Sequence, residues 1–129
     1  MLGTKVVVDA LRLRFERAPA AAAARRAVLE ALDRWKLAHL ADDALLVTTE
    51  LIQNAVRHAG TGGVLVVRRC AAGLRIEVAD GSREQPTPRA PDPERIGGRG
   101  LSIVAAVACA WGTLTRTGHP GKVVWAELA

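Results

Sequence analysis

The 129-residue sequence contains no tyrosine, and its one phenylalanine and three tryptophans bring the aromatic content to only 3%. Proteins that bind single-stranded nucleic acids stack the bases on aromatic side chains, and this sequence has no such platform. The arginines behind its formal net charge of +5 are spread along the chain from Arg12 to Arg116. We interpret this charge as solvated surface that attracts acidic partners or nucleotide phosphates. No direct nucleic-acid partner is expected, although a basic nucleic-acid-binding protein with steeply salt-dependent affinity is kept as an alternative.

Long apolar runs are also missing. No uninterrupted apolar segment approaches the roughly 20 residues of a membrane span, and the first 15 residues lack the basic start and apolar block of a secretory leader. We therefore expect a cytoplasmic protein that has no contact with a membrane. The two cysteines, Cys70 and Cys109, lie far apart in apolar stretches without metal-ligand spacing. They are predicted to be reduced thiols in the core.

A half-apolar composition with a mean hydropathy of +0.14 can bury one core, so we expect a single domain over residues 1–129. The apolar periodicity predicts an α+β sandwich with helices on one face of a mostly antiparallel sheet. A proline-rich segment, residues 81–97, is predicted to be a long loop. The remaining predicted elements are strands over 6–15, 64–70, 74–79, 113–117 and 122–128, and helices over 19–36, 41–59 and 101–110.

Three polar residues recur every four positions in the second predicted helix. Glu50, Asn54 and His58 therefore share one edge of that helix. Asparagine is a poor interior helix former, and its amide oxygen is a hard ligand of the kind that magnesium accepts beside water and phosphates. A carboxylate one turn earlier could accept a proton from a hydroxyl that attacks a γ-phosphate. The alternative interpretation is a solvated polar face.

Asp80 and Gly81 follow the second strand of the predicted central hairpin. A carboxylate at this strand end can accept a hydrogen bond from the exocyclic amine at C6 of adenine, a contact that guanine, with an oxygen at C6, could not offer. Aspartate followed by glycine is also an ordinary turn pair, so a structural role is the alternative.

Glycines surround the start of the third predicted helix, in the sequence GGRGL at residues 97–101. Glycine permits close backbone approach, and a helix N-terminus directs its free amides and its dipole at an anion. The pattern favours phosphate binding. It is neither a Walker sequence nor a dinucleotide-binding fingerprint, because it lacks the lysine of the first and the preceding strand of the second.

In this order and spacing, the three groups resemble the ATP site of the GHKL superfamily, which includes gyrase and the histidine kinases. Residues 49–58 (TELIQNAVRH) resemble its N box, residues 78–81 (VADG) its first glycine box and residues 98–101 (GRGL) its second. The closing residues 121–128 (GKVVWAEL) are similar to the terminal strand of the anti-sigma-factor serine kinase branch. The resemblance covers nearly the whole chain.

The resemblance implies a Bergerat-type two-layer sandwich with a mixed, mostly antiparallel sheet and an ATP lid over residues 81–97. It implies that ATP binds with Mg²⁺ held by Asn54, that Glu50 is the catalytic base and that Asp80 reads adenine. Arg99 either contacts phosphate or is solvated. The residues implied for ATP binding are Asn54, His58, Asp80, Gly81, Gly98, Arg99, Gly100 and Leu101.

The kinase branch also implies partners. Its members dimerise, bind a sigma factor and phosphorylate a serine or threonine of an anti-anti-sigma protein, so the resemblance implies a homodimeric anti-sigma serine/threonine kinase that regulates transcription. A histidine kinase is not expected, because no dimerising pair of phosphoacceptor helices precedes the ATP domain in this sequence. In the family, the first glycine box usually reads Asp-x-Gly-x-Gly, whereas Ser82 and Glu84 occupy its two glycine positions here. An ATP-dependent protein-binding module without phosphotransfer is therefore the second functional hypothesis.

Overall fold

A computed structural model of the chain describes residues 4–7, 10–16, 20–59, 62–80, 98–115 and 121–129. Within this part, the chain forms six strands in the order β1-β2-β3-β4-β6-β5, and every neighbouring pair is antiparallel. The strands are β1 Thr4–Val7, β2 Ala10–Phe15, β3 Gly63–Cys70, β4 Gly73–Asp80, β5 Ala110–Thr115 and β6 Lys122–Leu128. The helices are α1 Ala20–Arg34, a short 3-10 helix Ala38–Leu40, α2 Ala41–Ala59 and α3 Gly98–Val107.

The core lies between the helices and one face of the sheet. Alternate residues of β2, β3, β4 and β6 point to this face and are almost fully buried, as the two-residue period of a strand requires. Among the helices, α2 contributes the most residues to this core, and it packs against α1, α3 and β4. The buried strand residues are Leu11, Leu13, Phe15, Leu65, Val67, Leu74, Ile76, Val78, Val124, Ala126 and Leu128.

Arg75 lies on the opposite face of the sheet, which no helix of the described part covers. Its guanidinium stacks 4.2 Å from the ring centre of Trp125 and forms ion pairs of 2.7 Å with Glu77 and 3.3 Å with Glu127. Charged side chains on this open face are partly solvated, which agrees with the interpretation of the arginines as surface charge.

α1 ends in a left-handed residue. Lys36 has a φ of 59°, its amide donates to the carbonyl of Asp33, and the amide of Leu37 donates to the carbonyl of Leu32. This pair of hydrogen bonds is a Schellman motif, which satisfies carbonyls left free at a helix end. After this helix end, the chain forms the 3-10 helix, where Leu40 is buried, and continues directly into α2.

The predicted α+β sandwich with helices on one face is confirmed, but several details of the prediction are wrong. Residues 6–15 are not one strand: β1 and β2 form an antiparallel pair with Thr4 opposite Leu13. The alternation that supported the long strand extends over β2 alone. The sheet is not mixed within the described residues, because all its pairs are antiparallel.

The prediction of two core thiols is also wrong. Cys109 is exposed, since it precedes the edge strand β5, and Cys70 is half-buried; both are free. No helix in the described ranges is long and apolar enough to cross a membrane. The predicted lid, residues 81–97, lies outside the described residues, as does Gly81.

Candidate active site

α2 runs toward the end of the sheet where β3 begins and β4 ends. Its last residue, Ala59, precedes β3 by only three residues, and Gly63 at the start of β3 lies opposite Asp80 at the end of β4. The C-terminal half of α2 therefore lies near Asp80. Since α2 also packs against α3, one helix connects the three groups of residues that the sequence singles out.

Asn54 is the most informative residue of α2. It is 1% exposed, and neither its amide oxygen nor its amide nitrogen has a hydrogen-bond partner among the described residues. A buried polar group without a partner costs about 1–3 kcal/mol, and such groups are rare enough to need an explanation. A ligand that supplies the missing partner is one explanation. An amide oxygen is also a suitable ligand atom for magnesium.

Glu50 lies one turn before Asn54 on the same helix and is half-buried. Residues four apart on a helix are neighbours on its surface, so the carboxylate and the buried amide share one edge, as predicted. Glu50 is therefore placed between the protein interior and solvent. His58 belongs to the last turn of α2 and extends the same series toward the end of the sheet.

Asp80 forms a buried ion pair that the sequence analysis missed. The Nζ of Lys122 lies 3.2 Å from its Oδ2 and 3.4 Å from its Oδ1. The side chains of Asp80 and Lys122 are only 1% and 0% exposed, and the two residues are directly opposite each other in β4 and β6. Both point to the helix-covered face, since they share the parity of Val78 and Val124.

A signal for this pair exists in the sequence. Lys122 falls at an inward position of β6, two residues before the buried Val124. A lysine on the apolar side of a strand needs a partner. Identifying Asp80 as that partner requires the register between β4 and β6, which are separated by more than forty residues.

A cavity of about 420 Å³ opens at this end of the sheet. Gly63 is one of its lining residues. A Cβ at this position would lie 2.0 Å from the carbonyl oxygen of Ala79, so glycine lets β3 approach β4 closely. Two exposed charged residues, Glu16 and Arg14, line the cavity together with Asp80. Its described lining residues are Arg14, Phe15, Glu16, Gly62, Gly63, Val64, Ala79 and Asp80.

α3 begins at Gly98, three residues earlier than predicted. Gly98, Arg99 and Gly100 therefore form its first turn, where backbone amides have no partner inside the helix. Leu101 is 3% exposed and, with the fully buried Val104, fixes α3 to the core. The side chain of Leu101 is a packing residue, so any contact of this position with phosphate would come from the backbone amide.

No group of three or more His, Cys, Asp or Glu side chains that could hold a metal occurs in the described part of the chain. A magnesium ion here would depend on the amide oxygen of Asn54 and on oxygens of phosphates and water, which is how magnesium commonly binds beside nucleotides. The unpartnered amide of Asn54 fits this requirement.

The model of the histidine kinase-like ATPase domain family matches residues 15–127. A comparison with curated proteins finds no match. The matched range begins at the last residue of β2, ends in β6 and contains α2, Asp80 and α3. A match over most of the chain, on a two-layer α+β fold, indicates ATP binding and a kinase-like regulatory function. The chain belongs to the histidine kinase-like ATPase domain family.

Proposed function

We propose that the protein is an ATP-binding regulatory serine/threonine kinase, an anti-sigma factor that phosphorylates an anti-anti-sigma partner. The observation that carries the proposal is the buried amide of Asn54, which lacks a partner among the described residues and lies one turn after a half-buried carboxylate. The closing strand, with its similarity to the anti-sigma kinase branch, supports the choice of partner. The protein would act as a homodimer that binds a sigma factor.

Asn54 would hold Mg²⁺ through its amide oxygen. The chemistry that the metal supplies when bound is neutralisation of charge on the phosphates. The unpaired first-turn amides of α3, at Gly98, Gly100 and Leu101, would donate to phosphate oxygens, and the helix dipole favours negative charge there. Arg99 in the same turn adds a positive charge. His58 and Gly81 complete the nucleotide site in this proposal.

Glu50 would be the general base. In the transfer step, the hydroxyl oxygen of the partner's serine or threonine bonds to the γ-phosphorus while the bond to the β–γ bridging oxygen breaks and ADP leaves. The hydroxyl proton passes to the carboxylate of Glu50. Its half-buried position on the edge shared with Asn54 gives it access to both the nucleotide and an incoming protein.

Asp80 would read the base by accepting a hydrogen bond from the adenine amine. Asp80 is one of the lining residues of the cavity at the sheet end, and its side chain lies on the face of the sheet that the helices cover. Lys122 keeps this carboxylate in a fixed position through contacts with both of its oxygens.

An ATP-dependent protein-binding module is the second candidate. The specific observation in its favour is the loss of both family glycines in the first box, where Ser82 and Glu84 stand. In the family pattern, these two glycines lie in the segment that covers the nucleotide and give its backbone conformational freedom. Because both are replaced here, the substitutions favour a protein that binds ATP without transferring phosphate.

One experiment separates the two candidates. Single-turnover phosphotransfer to a serine-bearing anti-anti-sigma protein is measured alongside calorimetric ATP binding, for wild type, Glu50→Ala, Asn54→Ala and the control Gln53→Ala on the same helix. General-base catalysis contributes about 10² to 10⁴ in rate, so Glu50→Ala should slow transfer by that factor with ATP affinity nearly intact. Asn54→Ala should weaken both, and Gln53→Ala neither.

The contrary results have distinct meanings. A wild type that binds ATP tightly and transfers phosphate to no partner favours the binding module. Normal transfer by Glu50→Ala means that the protein is a kinase with a different base. A wild type that does not bind ATP removes both candidates.

A further inference from the structure

The open face of the sheet, opposite the helices, is more apolar than a solvated sheet face should be. An antiparallel sheet with one face in water normally places polar residues at the outward positions. In β3, β4 and β6, apolar residues occupy several of these positions, and each of them is half-buried. A contiguous apolar patch of this kind marks an interaction site. The outward apolar residues of the three strands are Val64, Val66, Ala79, Val123 and Trp125.

These residues are neighbours across the strands. Val64 of β3 lies directly opposite Ala79 of β4, which in turn lies directly opposite Val123 of β6. Leu114 of β5 lies opposite Val123 and continues the same row. It is 54% exposed, the highest value among the large apolar residues of the described part. An uninterrupted apolar row therefore crosses four strands.

β4 is the middle strand of this patch, with β3 on one side and β6 on the other. In each row of the open face, the residue of β3 and the residue of β6 have matching chemistry. Two of the rows combine apolar with apolar side chains, and the third combines opposite charges. The pairs are Val64 with Val123, Val66 with Trp125, and Arg68 with Glu127.

A twofold axis along β4, between two copies of the face, would bring the members of these pairs into contact. Rotation about such an axis exchanges the two sides of the sheet and keeps each row at its own level, so β3 of one copy faces β6 of the other. Each pair then forms twice, as an isologous interface requires. At the axis, the small side chain of Ala79 faces its own copy. The strands of the two sheets remain aligned to within about 30°, as in other face-to-face sheet packings.

The charges of the open face agree with this arrangement. Arg75 forms ion pairs of 2.7 Å with Glu77 and 3.3 Å with Glu127, and Arg68 lies 3.8 Å from Glu77. Two cations and two anions thus neutralise one another within the patch, so it does not call for a partner of opposite charge. The exposed arginines of β2 lie beyond the central strands, where an interface has its solvated rim.

We propose that the open face binds a second copy of this chain, with β3 of each protomer packed against β6 of its partner around a twofold axis along β4. This inference rests on the proposed function only for the dimeric state, and it deepens that function by assigning the interface. Glu50 and Asn54 belong to α2, on the other side of the sheet, so the interface leaves the nucleotide site of each protomer accessible.

Analytical ultracentrifugation of wild type, Val64→Lys and Val123→Glu tests the interface. Wild type should sediment with the mass of a dimer. Each single substitution buries an unpaired charge against an apolar residue of the partner, twice in every dimer, so the dissociation constant of the dimer should rise by at least about 100-fold. The control Leu29→Glu introduces a charge at a leucine of α1 that is 42% exposed, and it should keep the wild-type constant.

The double variant Val64→Lys/Val123→Glu tests the axis. In the proposed dimer, each new lysine faces a new glutamate of the partner, so association should recover by at least about tenfold over either single variant. Within one chain, β4 separates the two positions by roughly 10 Å, which prevents a direct ion pair. If Val123→Glu does not fold, Val123→Thr replaces it: the buried hydroxyl should still raise the dissociation constant by about tenfold.

Calorimetric titration of wild type and Val123→Glu with magnesium ATP separates this inference from the nucleotide-binding function. A monomeric wild type that binds ATP overturns the inference, leaves nucleotide binding standing and assigns the face to a different partner. A dimer that survives both single substitutions places the interface elsewhere. Loss of the dimer in both single variants without recovery in the double variant contradicts the axis along β4. If the variants behave as predicted and no protein binds ATP, the interface stands and the nucleotide-binding function fails.

Discussion

Two groups of buried polar side chains lie between the helices and the sheet, and they differ in how their polar atoms are satisfied. At the strand end, Asp80 and Lys122 form an ion pair. On α2, the amide of Asn54 and the hydroxyl of Thr48 are buried without a hydrogen-bond partner in the described part of the chain. On the strands, each charged group has an oppositely charged partner within the fold. The amide of Asn54 has no such partner among the described residues, so the comparison separates an ion pair within the fold from a buried amide that a ligand would satisfy.

The largest effect is expected from breaking the ion pair. Lys122→Met leaves the carboxylate of Asp80 buried without its cation and should lower the free energy of unfolding by about 3–5 kcal/mol. The double variant Asp80→Asn/Lys122→Met removes both charges and should recover most of this loss. Urea denaturation of the three proteins measures the difference. Equal stabilities of the single variant and wild type would show that the pair does not support the fold.

A core truncation on α2 provides the apolar reference for the same layer. Leu51 is 1% exposed, and Leu51→Ala should cost about 3 kcal/mol through lost burial and the resulting cavity. Leu46 on the same helix is 36% exposed, so Leu46→Ala should change stability by less than about 1 kcal/mol. Chemical denaturation of both variants checks the packing of α2. A larger loss for Leu46→Ala would mean that α2 is rotated from the position described.

Replacing the unpartnered amide should have the opposite sign. In Asn54→Leu an apolar side chain of similar size replaces a buried group without a partner, so nucleotide-free protein should gain about 1–2 kcal/mol of stability. Thermal unfolding without nucleotide measures the gain. A clear loss of stability would show that Asn54 has a structural hydrogen bond and would weaken its assignment to a ligand.

Thr48→Val is the matched control with the smallest expected effect. Its hydroxyl is also buried without a partner in the described part, so the substitution should be neutral or stabilise the protein by up to about 1 kcal/mol. Thr48 lies six residues before Asn54, away from the end of α2 that approaches Asp80. Titration with magnesium ATP should therefore give the same affinity for Thr48→Val and wild type, and reduced affinity would extend the site along α2.

Local sequence signals predicted most of the fold. The bounds of α2 and β6 agree with the prediction at both ends, because an apolar stripe and a strict alternation define them. The division of residues 6–15 between β1 and β2 was missed because the alternation in β2 was extended to the residues before it. The start of α3 was placed at Leu101, since the glycines before it are poor helix formers, although the burial of Leu101 and Val104 holds the first turn in place.

The candidate site was predictable where it depends on one element and not where it depends on two. Spacing on one helix placed Glu50 and Asn54 on a common edge. The pairing of Asp80 with Lys122 follows from the register of two strands distant in sequence, which local patterns do not contain. The exposure of Cys109 could not be predicted for the same reason, because it depends on the position of β5 at the edge of the sheet.

The most direct test is the stabilisation of the protein by magnesium ATP in wild type, Asn54→Leu and Thr48→Val. A ligand at about 100 times its dissociation constant adds about 2.7 kcal/mol to the free energy of unfolding. We predict this gain for wild type and Thr48→Val and its loss in Asn54→Leu, even though the last protein should be the most stable of the three without nucleotide. An equal gain in all three proteins, or no gain in wild type, would contradict the assignment of Asn54 to the magnesium of a bound nucleotide.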